Sequence, residues 1–276
     1  MERLRPAAFR KTWRSPLGVC LALAAIALAA NGHQALGQEP QRLRLLTYNI
    51  HHGEGVDGRL DLARIAGVIK AVDPDLVALQ EVDRNTERTG KVDQPAELAK
   101  LTGLAVVFGP NIALPGGDYG NAVLSRLPVV AQQNHKLPSH DQGEQRGVLQ
   151  VELELPGGGT VLLLATHLDH RQGDAERLAS AGAINELAIK SPDRPAILAG
   201  DLNAVPESKV LQRLLTTWTN TTDKPLPTTP VASPRRQIDY VLVRPAARWK
   251  IVEARVLDEA VASDHRALLV VLELTR

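Results

Sequence analysis

The sequence predicts an α+β fold in which two mainly antiparallel sheets pack face to face, with helices on the outer faces. Short apolar or alternating runs that suit strands outnumber the segments with helical spacing. Several strands are also joined by tight turns, of which the clearest is Pro156-Gly157-Gly158-Gly159 between the runs 147–155 and 160–167. No internal repeat or linker divides residues 42–276, so we expect a single domain there.

The predicted strands are short, and most of them end at a turn residue, a proline or a polar side chain. Along the chain they cover 42–50, 75–80, 120–125, 147–155, 160–167, the run that begins at Ala196, 237–243 and 266–274.

Apolar residues at helical spacing predict helices over 62–72, 96–101, 174–190 and 208–215. The first of these closes at Asp73-Pro74, because proline cannot continue a helix. Residues 218–236 have little periodicity and many Thr and Pro residues, and they are too long for an ordinary connection. We expect this segment to be a functional loop that carries substrate specificity.

The first 37 residues have the pattern of a secretory signal peptide. Basic residues precede an apolar run from Leu17 to Ala30, and small residues suited to cleavage follow near Gly32 or Gly37. This run is shorter than the roughly 18 residues of a membrane-spanning helix. We therefore expect a mature domain of residues 38–276 that is secreted or periplasmic and does not insert stably in a membrane. An uncleaved anchor is the alternative.

The mature segment contains no cysteine, because the single cysteine of the chain is Cys20. This composition excludes a disulfide, a thiolate zinc site and a cysteine nucleophile. Residues 38–276 carry 27 basic and 30 acidic residues, so the mature surface is slightly acidic. Such a balance does not favour a protein that binds many nucleic-acid phosphates.

Polar side chains stand at the ends of several predicted strands. The candidates are Asn49, Glu81, His167, the pair Asp201 and Asn203, Asp239, and the group Ser263-Asp264-His265 before the last strand. Buried strands seldom end repeatedly in acids, amides and histidines for packing reasons alone. Carboxylate and amide oxygens suit Mg²⁺ or Mn²⁺. A metal ion, a general base and hydrogen-bond donors together suit attack of water on a phosphorus ester.

The motifs resemble those of the endonuclease/exonuclease/phosphatase superfamily, which includes pancreatic-type deoxyribonucleases, abasic-site endonucleases, inositol polyphosphate 5-phosphatases and neutral sphingomyelinases. The matching pieces occur in the family's order and span nearly all of the mature chain. They are Thr47-Tyr48-Asn49-Ile50, Leu79-Gln80-Glu81-Val82, Tyr119 to Arg126, Thr166-His167-Leu168, Gly200-Asp201-Leu202-Asn203, Ile238-Asp239-Tyr240-Val241 and Ser263-Asp264-His265. The resemblance implies a four-layer, deoxyribonuclease-I-like sandwich.

The resemblance also implies a role for each residue of the candidate site. Glu81 would bind the Mg²⁺ or Mn²⁺ ion, with Asn49 and Asp264 completing the metal site. Asp201 or His265 would be the general base, and Asp239 would fix the tautomer of His265. Asn203 would hold a phosphate oxygen, and His167 would bind the phosphoryl group or help the leaving oxygen depart. Further candidates for substrate binding are Arg146, Arg171 and Asn121, the last of which also suits the floor of the site.

The sequence leaves the substrate open. An exported metal-dependent enzyme that hydrolyses a small phosphodiester or phosphomonoester is the first hypothesis, and a secreted nuclease is the alternative. A sphingomyelinase-like phospholipase and a binding module without activity on the same fold are further alternatives. We expect a monomer and one or two metal ions.

Overall fold

The strands of the protein form two six-stranded sheets. The computed structural model describes residues 41–140 and 143–275, and the predicted signal peptide lies outside them. In the described residues the strands are β1 (Gln41–Asn49), β2 (Leu76–Arg84), β3 (Ala105–Leu114), β4 (Gly117–Ser125), β5 (Val129–Lys136), β6 (Gly147–Glu154), β7 (Thr160–His167), β8 (Ala196–Asp201), β9 (Thr219–Asn220), β10 (Asp239–Arg244), β11 (Trp249–Val256) and β12 (Leu268–Leu274). The helices are α1 (Leu62–Lys70), α2 (Gln94–Thr102), α3 (Ala175–Ile189) and α4 (Lys209–Leu214). None of the described helices is long and apolar enough to span a membrane.

The first sheet has the strand order β11-β12-β1-β2-β4-β3, and the second has the order β5-β6-β7-β8-β10-β9. Among the described strands, β1 and β2 are parallel neighbours, as are β7 and β8, and the other neighbours are antiparallel. Strands that run in the same direction need a long crossover, and α1 and α3 supply it. The prediction of two mainly antiparallel sheets is confirmed, and these two helical crossovers add to the tight turns seen in the sequence.

Buried apolar side chains form three layers. The middle layer lies between the sheets and takes Leu45 from the first and Leu163 from the second. Helices α1 and α2 cover the outer face of the first sheet, where Ile65 is buried. Helices α3 and α4 cover the outer face of the second sheet, where Ile184 is buried. The predicted four-layer sandwich with helices on its outer faces is therefore confirmed.

The helices begin and end close to the predicted positions because local capping agrees with the apolar spacing. Asp61 accepts the backbone N–H of Arg64 at the start of α1, whose buried face carries Ile65 and Ile69. Helix α2 ends at Gly103, which has the left-handed conformation common after helices.

Four strands that the sequence analysis missed, β3, β5, β9 and β11, are the four outermost strands of the two sheets. An edge strand pairs on one side only and needs less apolar sequence, so its pattern is weak. Strand β5 exposes much of its length and contains the polar run Gln132 to His135. Strand β3 is interrupted by Pro110, which an edge strand tolerates.

Gly200 lets β8 approach β7 directly before Asp201. Its φ of 151° lies in a region that L side chains rarely adopt. A Cβ at this position would lie 1.9 Å from the carbonyl oxygen of Thr166 in β7. The glycine in the Gly-Asp-Leu-Asn motif is therefore required by the close contact between two backbones.

Gly200→Ala is expected to prevent folding, because the added methyl group overlaps a backbone oxygen that cannot move without breaking the β7–β8 pairing. Soluble yield and thermal unfolding of the variant measure this effect. Gly67→Ala in α1 is the matched control, since a Cβ there meets no atom within 4 Å. It should be as stable as the wild type or up to about 1 kcal/mol more stable. A folded Gly200→Ala protein with wild-type stability would contradict the explanation.

Candidate active site

Residues from both sheets line one cavity of about 400 Å³. Most of the site residues predicted from the sequence are on its surface. They are Glu81, Arg146, His167, Asp201, Asn203, Asp264 and His265. Groups that are more than 180 positions apart in the sequence therefore share one cavity.

The parallel strand pairs explain why these side chains meet. The carboxyl ends of parallel neighbours lie at the same edge of a sheet, where open sheets bind ligands. In register, Asn49 at the end of β1 lies opposite Gln80 of β2, and His167 at the end of β7 lies opposite Asp201. Strand β10 runs antiparallel to β8, and its first residue, Asp239, pairs with Asp201.

Glu81 reaches the cavity through a β-bulge. The pairing of β2 with β4 shifts register between Leu79 and Val82. Glu81 lies in this interval with a φ of 58°, a left-handed conformation that is uncommon for a residue other than glycine. The extra residue breaks the in–out alternation of the strand, so Gln80 is buried while the neighbouring Glu81 lines the cavity. The motif indicates Glu81, but the bulge that aims it is visible only in the structure.

Asp201 is fully buried and accepts hydrogen bonds at both of its oxygens. Oδ1 accepts the backbone N–H of Asn203 at 2.9 Å, and Oδ2 accepts Nδ2 of Asn49 at 3.2 Å. The same amide nitrogen donates to Oε1 of Glu81 at 2.9 Å. The amide oxygen of Asn49 accepts the backbone N–H of His51 at 3.1 Å. Asn49 thus bridges two carboxylates, and its predicted role as a direct metal ligand stays a prediction.

His265 is held by Asp239. Its Nδ1 donates to Oδ2 of Asp239 at 2.9 Å, and the same oxygen accepts the hydroxyl of Thr228. Its Nε2 lies 3.7 Å from Oδ2 of Asp201. Burial lowers the pKa of His265, but the carboxylates of Asp239 and Asp201 outweigh burial and raise it to about 10. Asp239 therefore orients the ring in the way that the sequence analysis predicts.

Arg146 determines the tautomer of His167. The guanidinium donates from Nη1 to Nδ1 of His167 at 3.1 Å, and a guanidinium has no acceptor, so the histidine proton is on Nε2. Burial, followed by the charge of Arg146, lowers the pKa of His167 well below its ordinary value, so the ring is neutral. Nε2 lies 3.1 Å from Nδ2 of Asn203 and 3.5 Å from Oδ2 of Asp201. With its proton on Nε2, the ring can donate to Oδ2 of Asp201 or to an anionic oxygen of a ligand.

The described residues offer two groups of possible metal ligands. Asp201, Asp239 and His265 lie close enough to hold an ion, with ligand atoms within 4.8 Å of one another. In this group, Nδ1 of His265 already donates to Oδ2 of Asp239, which leaves Nε2 and the carboxylate oxygens as the possible ligand atoms. Glu81 and Asp264 both line the cavity and offer the hard oxygen ligands that Mg²⁺ or Mn²⁺ prefers. The chemistry of Glu81 and Asp264 therefore suits a divalent cation, as the sequence analysis predicts for Glu81.

Two predicted substrate-binding residues lie outside the cavity lining. Arg171 donates to Asp169 at 2.9 Å and to Glu176 at 2.6 Å, so its guanidinium is part of a structural ion-pair group. Asn121 is buried and donates to the carbonyl of Gly147 at 3.1 Å, which agrees with a role beneath the site.

The cavity lining also corrects the expectation that residues 218–236 carry specificity. No residue of this segment lines the cavity. Its contribution is Thr228, whose hydroxyl donates a hydrogen bond to Oδ2 of Asp239. The sequence analysis missed one wall of the cavity, which is formed by the β3–β4 region and the loop after β2. The residues of this wall are Arg88, Ile112, Leu114 and Tyr119, and His51, Glu144 and His170 also line the cavity.

Sequence signals for this wall were weak. Tyr119 is the first residue of a quoted motif, but nothing in the sequence separates a cavity-lining tyrosine from a core tyrosine. Ile112 and Leu114 belong to an edge strand that the apolar pattern did not predict.

Comparisons with known proteins identify the family and the fold. The family model described as Endonuclease/Exonuclease/phosphatase family matches residues 46–265. The protein YbhP of Escherichia coli K12, which is described as uncharacterized, is 31% identical over 219 residues, covering 74% of this chain and 85% of that protein. The 5'-tyrosyl-DNA phosphodiesterase of Caenorhabditis elegans is 28% identical over 192 residues, covering 65% of this chain and 49% of that enzyme. A crystal structure of an endonuclease/exonuclease/phosphatase from Beutenbergia cavernae superimposes with a TM-score of 0.73 and 30% identity, covering 85% of this chain and 72% of that one.

The buried Asp201 makes stability depend on pH in the metal-free protein. Burial, followed by the nearby carboxylate of Asp239, raises the pKa of Asp201 to about 7. An aspartate in the unfolded chain has a pKa of about 4. The folded state therefore binds this proton more tightly, and the contribution of Asp201 to stability is lost as the pH rises from about 4 to about 7.

Asp201→Asn removes this ionisation, so the variant should gain stability relative to the wild type as the pH rises. We expect the difference in thermal midpoint to move by several degrees in favour of the variant between pH 5 and pH 8. Differential scanning calorimetry in the presence of a chelator measures it. A difference that is the same at both pH values would contradict the assignment.

Proposed function

The chain belongs to the Endonuclease/Exonuclease/phosphatase family, and we propose that it is an exported phosphoesterase that requires Mg²⁺ or Mn²⁺. Members of this family are hydrolases that act on phosphoesters. The observation that carries the proposal is the meeting of Asp201, His265 and Glu81 in one cavity. A binding module without activity would not need a buried carboxylate–histidine pair beside this cavity.

Glu81 and Asp264 are the residues that would hold the metal ion. Once bound, the ion would act as a Lewis acid toward a phosphoryl oxygen. Asn49 holds Glu81 in place by its 2.9 Å hydrogen bond and leaves the second carboxylate oxygen free. The serine before Asp264 is fixed in turn, since its hydroxyl donates to the carbonyl of Asn49 at 2.7 Å.

Asp201 is the group that we assign to the attacking water. Its Oδ2 faces Nδ2 of Asn49 and the Nε2 atoms of His167 and His265, at 3.2, 3.5 and 3.7 Å. A carboxylate at the centre of these donors can orient a water molecule and accept its proton. His265, with its ring held by Asp239, would donate from Nε2 to a phosphoryl oxygen. As the water oxygen bonds to phosphorus, the bond from phosphorus to the ester oxygen would break, and the released oxygen would take up a proton from solvent.

Asn203 and His167 suit the remaining phosphoryl oxygens. The amide of Asn203 donates to the carbonyl of Leu168 at 3.0 Å, which fixes its orientation. The Nε2–H of His167 is fixed by Arg146. Donors that are oriented before the substrate arrives stabilise developing charge without rearrangement in the transition state.

A small phosphodiester or phosphomonoester is the substrate class that we favour. The cavity of about 400 Å³ is of the size that binds small molecules. The mature segment has 27 basic and 30 acidic residues and so offers no excess positive charge for a nucleic acid. A nuclease is the second candidate, because the chain is 28% identical to an enzyme named as a 5'-tyrosyl-DNA phosphodiesterase.

Export is proposed from the sequence of residues 1–37. The segment joins basic residues, the apolar run from Leu17 to Ala30 and a small-residue cleavage region.

Asp201→Ala or His265→Ala should lower turnover by roughly 10²–10⁴-fold, because each removes a group that moves or holds a proton in the reaction. The measurement is the turnover, with Mg²⁺, of the best substrate from a panel of plasmid DNA, RNA, bis-p-nitrophenyl phosphate, inositol phosphates and sphingomyelin. Asp193→Ala, at an exposed turn before β8, is the control that should retain activity. A folded Asp201→Ala protein with wild-type turnover would contradict the proposed role of Asp201 in the reaction.

A chelator should abolish the activity, and added Mg²⁺ or Mn²⁺ should restore it, because Glu81 and Asp264 would hold the metal ion that the reaction needs. Glu81→Gln should require a higher metal concentration for half-maximal activity, since an amide is a weaker ligand than a carboxylate. Metal titration of the chelator-treated protein gives both results. Full activity in excess chelator would exclude the proposed metal.

A further inference from the structure

Tyr119 is a cavity residue to which the proposed reaction gives no role. It lies in β4 of the first sheet, is 9% exposed, and lines the same cavity as Asp201 and His265. Its hydroxyl lies within hydrogen-bonding reach of the guanidinium of Arg146, which can only donate, and within residues 41–140 and 143–275 no acceptor is found for the hydroxyl proton. A buried hydroxyl normally also has an acceptor for its own proton, so a phenol in this position points to a ligand that supplies one.

Two β-bulges set the position of Tyr119. One is the bulge in β2 that turns Glu81 into the cavity. The other lies in β3, where the register shifts between Pro110 and Ile112, so that Ile112 pairs with Tyr119. Bulges redirect side chains and are common beside active sites. Glu81 and Tyr119 therefore reach the cavity from adjacent strands through neighbouring irregularities.

The ring of Tyr119 is held by an ion pair. The guanidinium of Arg88 lies 5.4 Å from the centre of the ring. Arg88 is itself fixed by two hydrogen bonds of 2.7 Å to the fully buried carboxylate of Asp83. Asp83 also accepts the hydroxyl of Thr86 at 2.6 Å. Three polar side chains thus restrict the phenol before any ligand binds.

The hydroxyl lies in the electrostatic field of both sides of the cavity. Glu81, the proposed metal ligand, and Arg146, which orients His167, act on it with opposite sign. A phosphoryl group held between the metal ligand and His167 would therefore pass close to the phenol. The other proposed donors to the phosphoryl group, Asn203 and His167, belong to the second sheet. Tyr119 would add a hydrogen-bond donor from the first sheet.

We propose that Tyr119 is a substrate-binding residue whose hydroxyl donates a hydrogen bond to a non-bridging oxygen of the phosphoryl group. This inference rests on the proposed phosphoesterase function. A neutral phenol can bind an anionic oxygen whether the substrate is a monoester or a diester. It adds no positive charge to the cavity.

Tyr119→Phe tests the proposal, because it removes only the hydroxyl and keeps the ring beneath Arg88. A hydrogen bond to a charged oxygen predicts a roughly 10- to 100-fold lower kcat/KM for the best phosphoester. The inhibition constant for inorganic phosphate should rise by a similar factor, and the thermal midpoint should stay close to that of the wild type. Tyr48→Phe is the matched control: its hydroxyl is buried without a partner, and it does not line the cavity. It should leave both constants unchanged.

The outcomes separate this inference from the proposed function. If the wild type hydrolyses no phosphoester, the function itself is wrong. If the wild type is active and Tyr119→Phe has the same kcat/KM and phosphate inhibition, the role of Tyr119 is excluded while the function stands.

A second measurement does not need a stable Tyr119 variant. The chain has three tyrosines, so ¹³Cζ-tyrosine labelling gives three signals, which Tyr48→Phe and Tyr240→Phe assign by elimination. Adding inorganic phosphate to the Mg²⁺-loaded protein should shift the Tyr119 signal. An unmoved Tyr119 signal at phosphate concentrations that inhibit the enzyme would overturn the proposal.

Discussion

The hydrogen bond between Asn49 and Asp201 joins the two sheets at the point where the chemistry is proposed to occur. Asn49 ends β1 of the first sheet, Asp201 ends β8 of the second, and both are buried. The apolar layer between the sheets permits many relative positions of similar energy, whereas a buried carboxylate tolerates only those in which it has donors. This contact therefore specifies how the two sheets are positioned around the cavity.

The cavity concentrates features that oppose stability. Asp201 and Asp239 are buried acidic neighbours, and the backbones of Glu81 and Asn203 are left-handed, at φ 58° and 47°. Within the described residues, Oδ1 of Asp239 and Nε of Arg146 are buried without a hydrogen-bond partner. Strained or unpaired groups are expected where a protein binds and transforms a ligand, because the rest of the fold must hold them in place. Here the surrounding strands of both sheets do so.

The two sheets contribute different parts of the site. The second sheet carries His167, Asp201 and Asp239, whose positions follow from the pairing of β7, β8 and β10, while His265 reaches the cavity from the segment before β12 of the first sheet. The first sheet carries Glu81 and the wall that includes Tyr119, both aimed by bulges. Substrate preference is therefore expected to vary with β3, β4 and the loop after β2. The segment 218–236 contacts the second sheet through Thr228, whose hydroxyl donates to Asp239.

The sequence by itself determined the central strands, the helices and the polar residues at the strand ends. Those features follow from local apolar spacing and from motifs such as Gly200-Asp201-Leu202-Asn203, which nearby residues enforce. The tertiary structure alone decided the edge strands, the bulge at Glu81 and the exclusion of Arg171 from the cavity. Each of these depends on a partner distant in sequence: an edge strand on its neighbour, a bulge on the opposing register, and Arg171 on the carboxylates that compete for it. A local sequence pattern does not identify these distant partners. The edge strands, the bulge and the position of Arg171 are therefore visible only in the assembled structure.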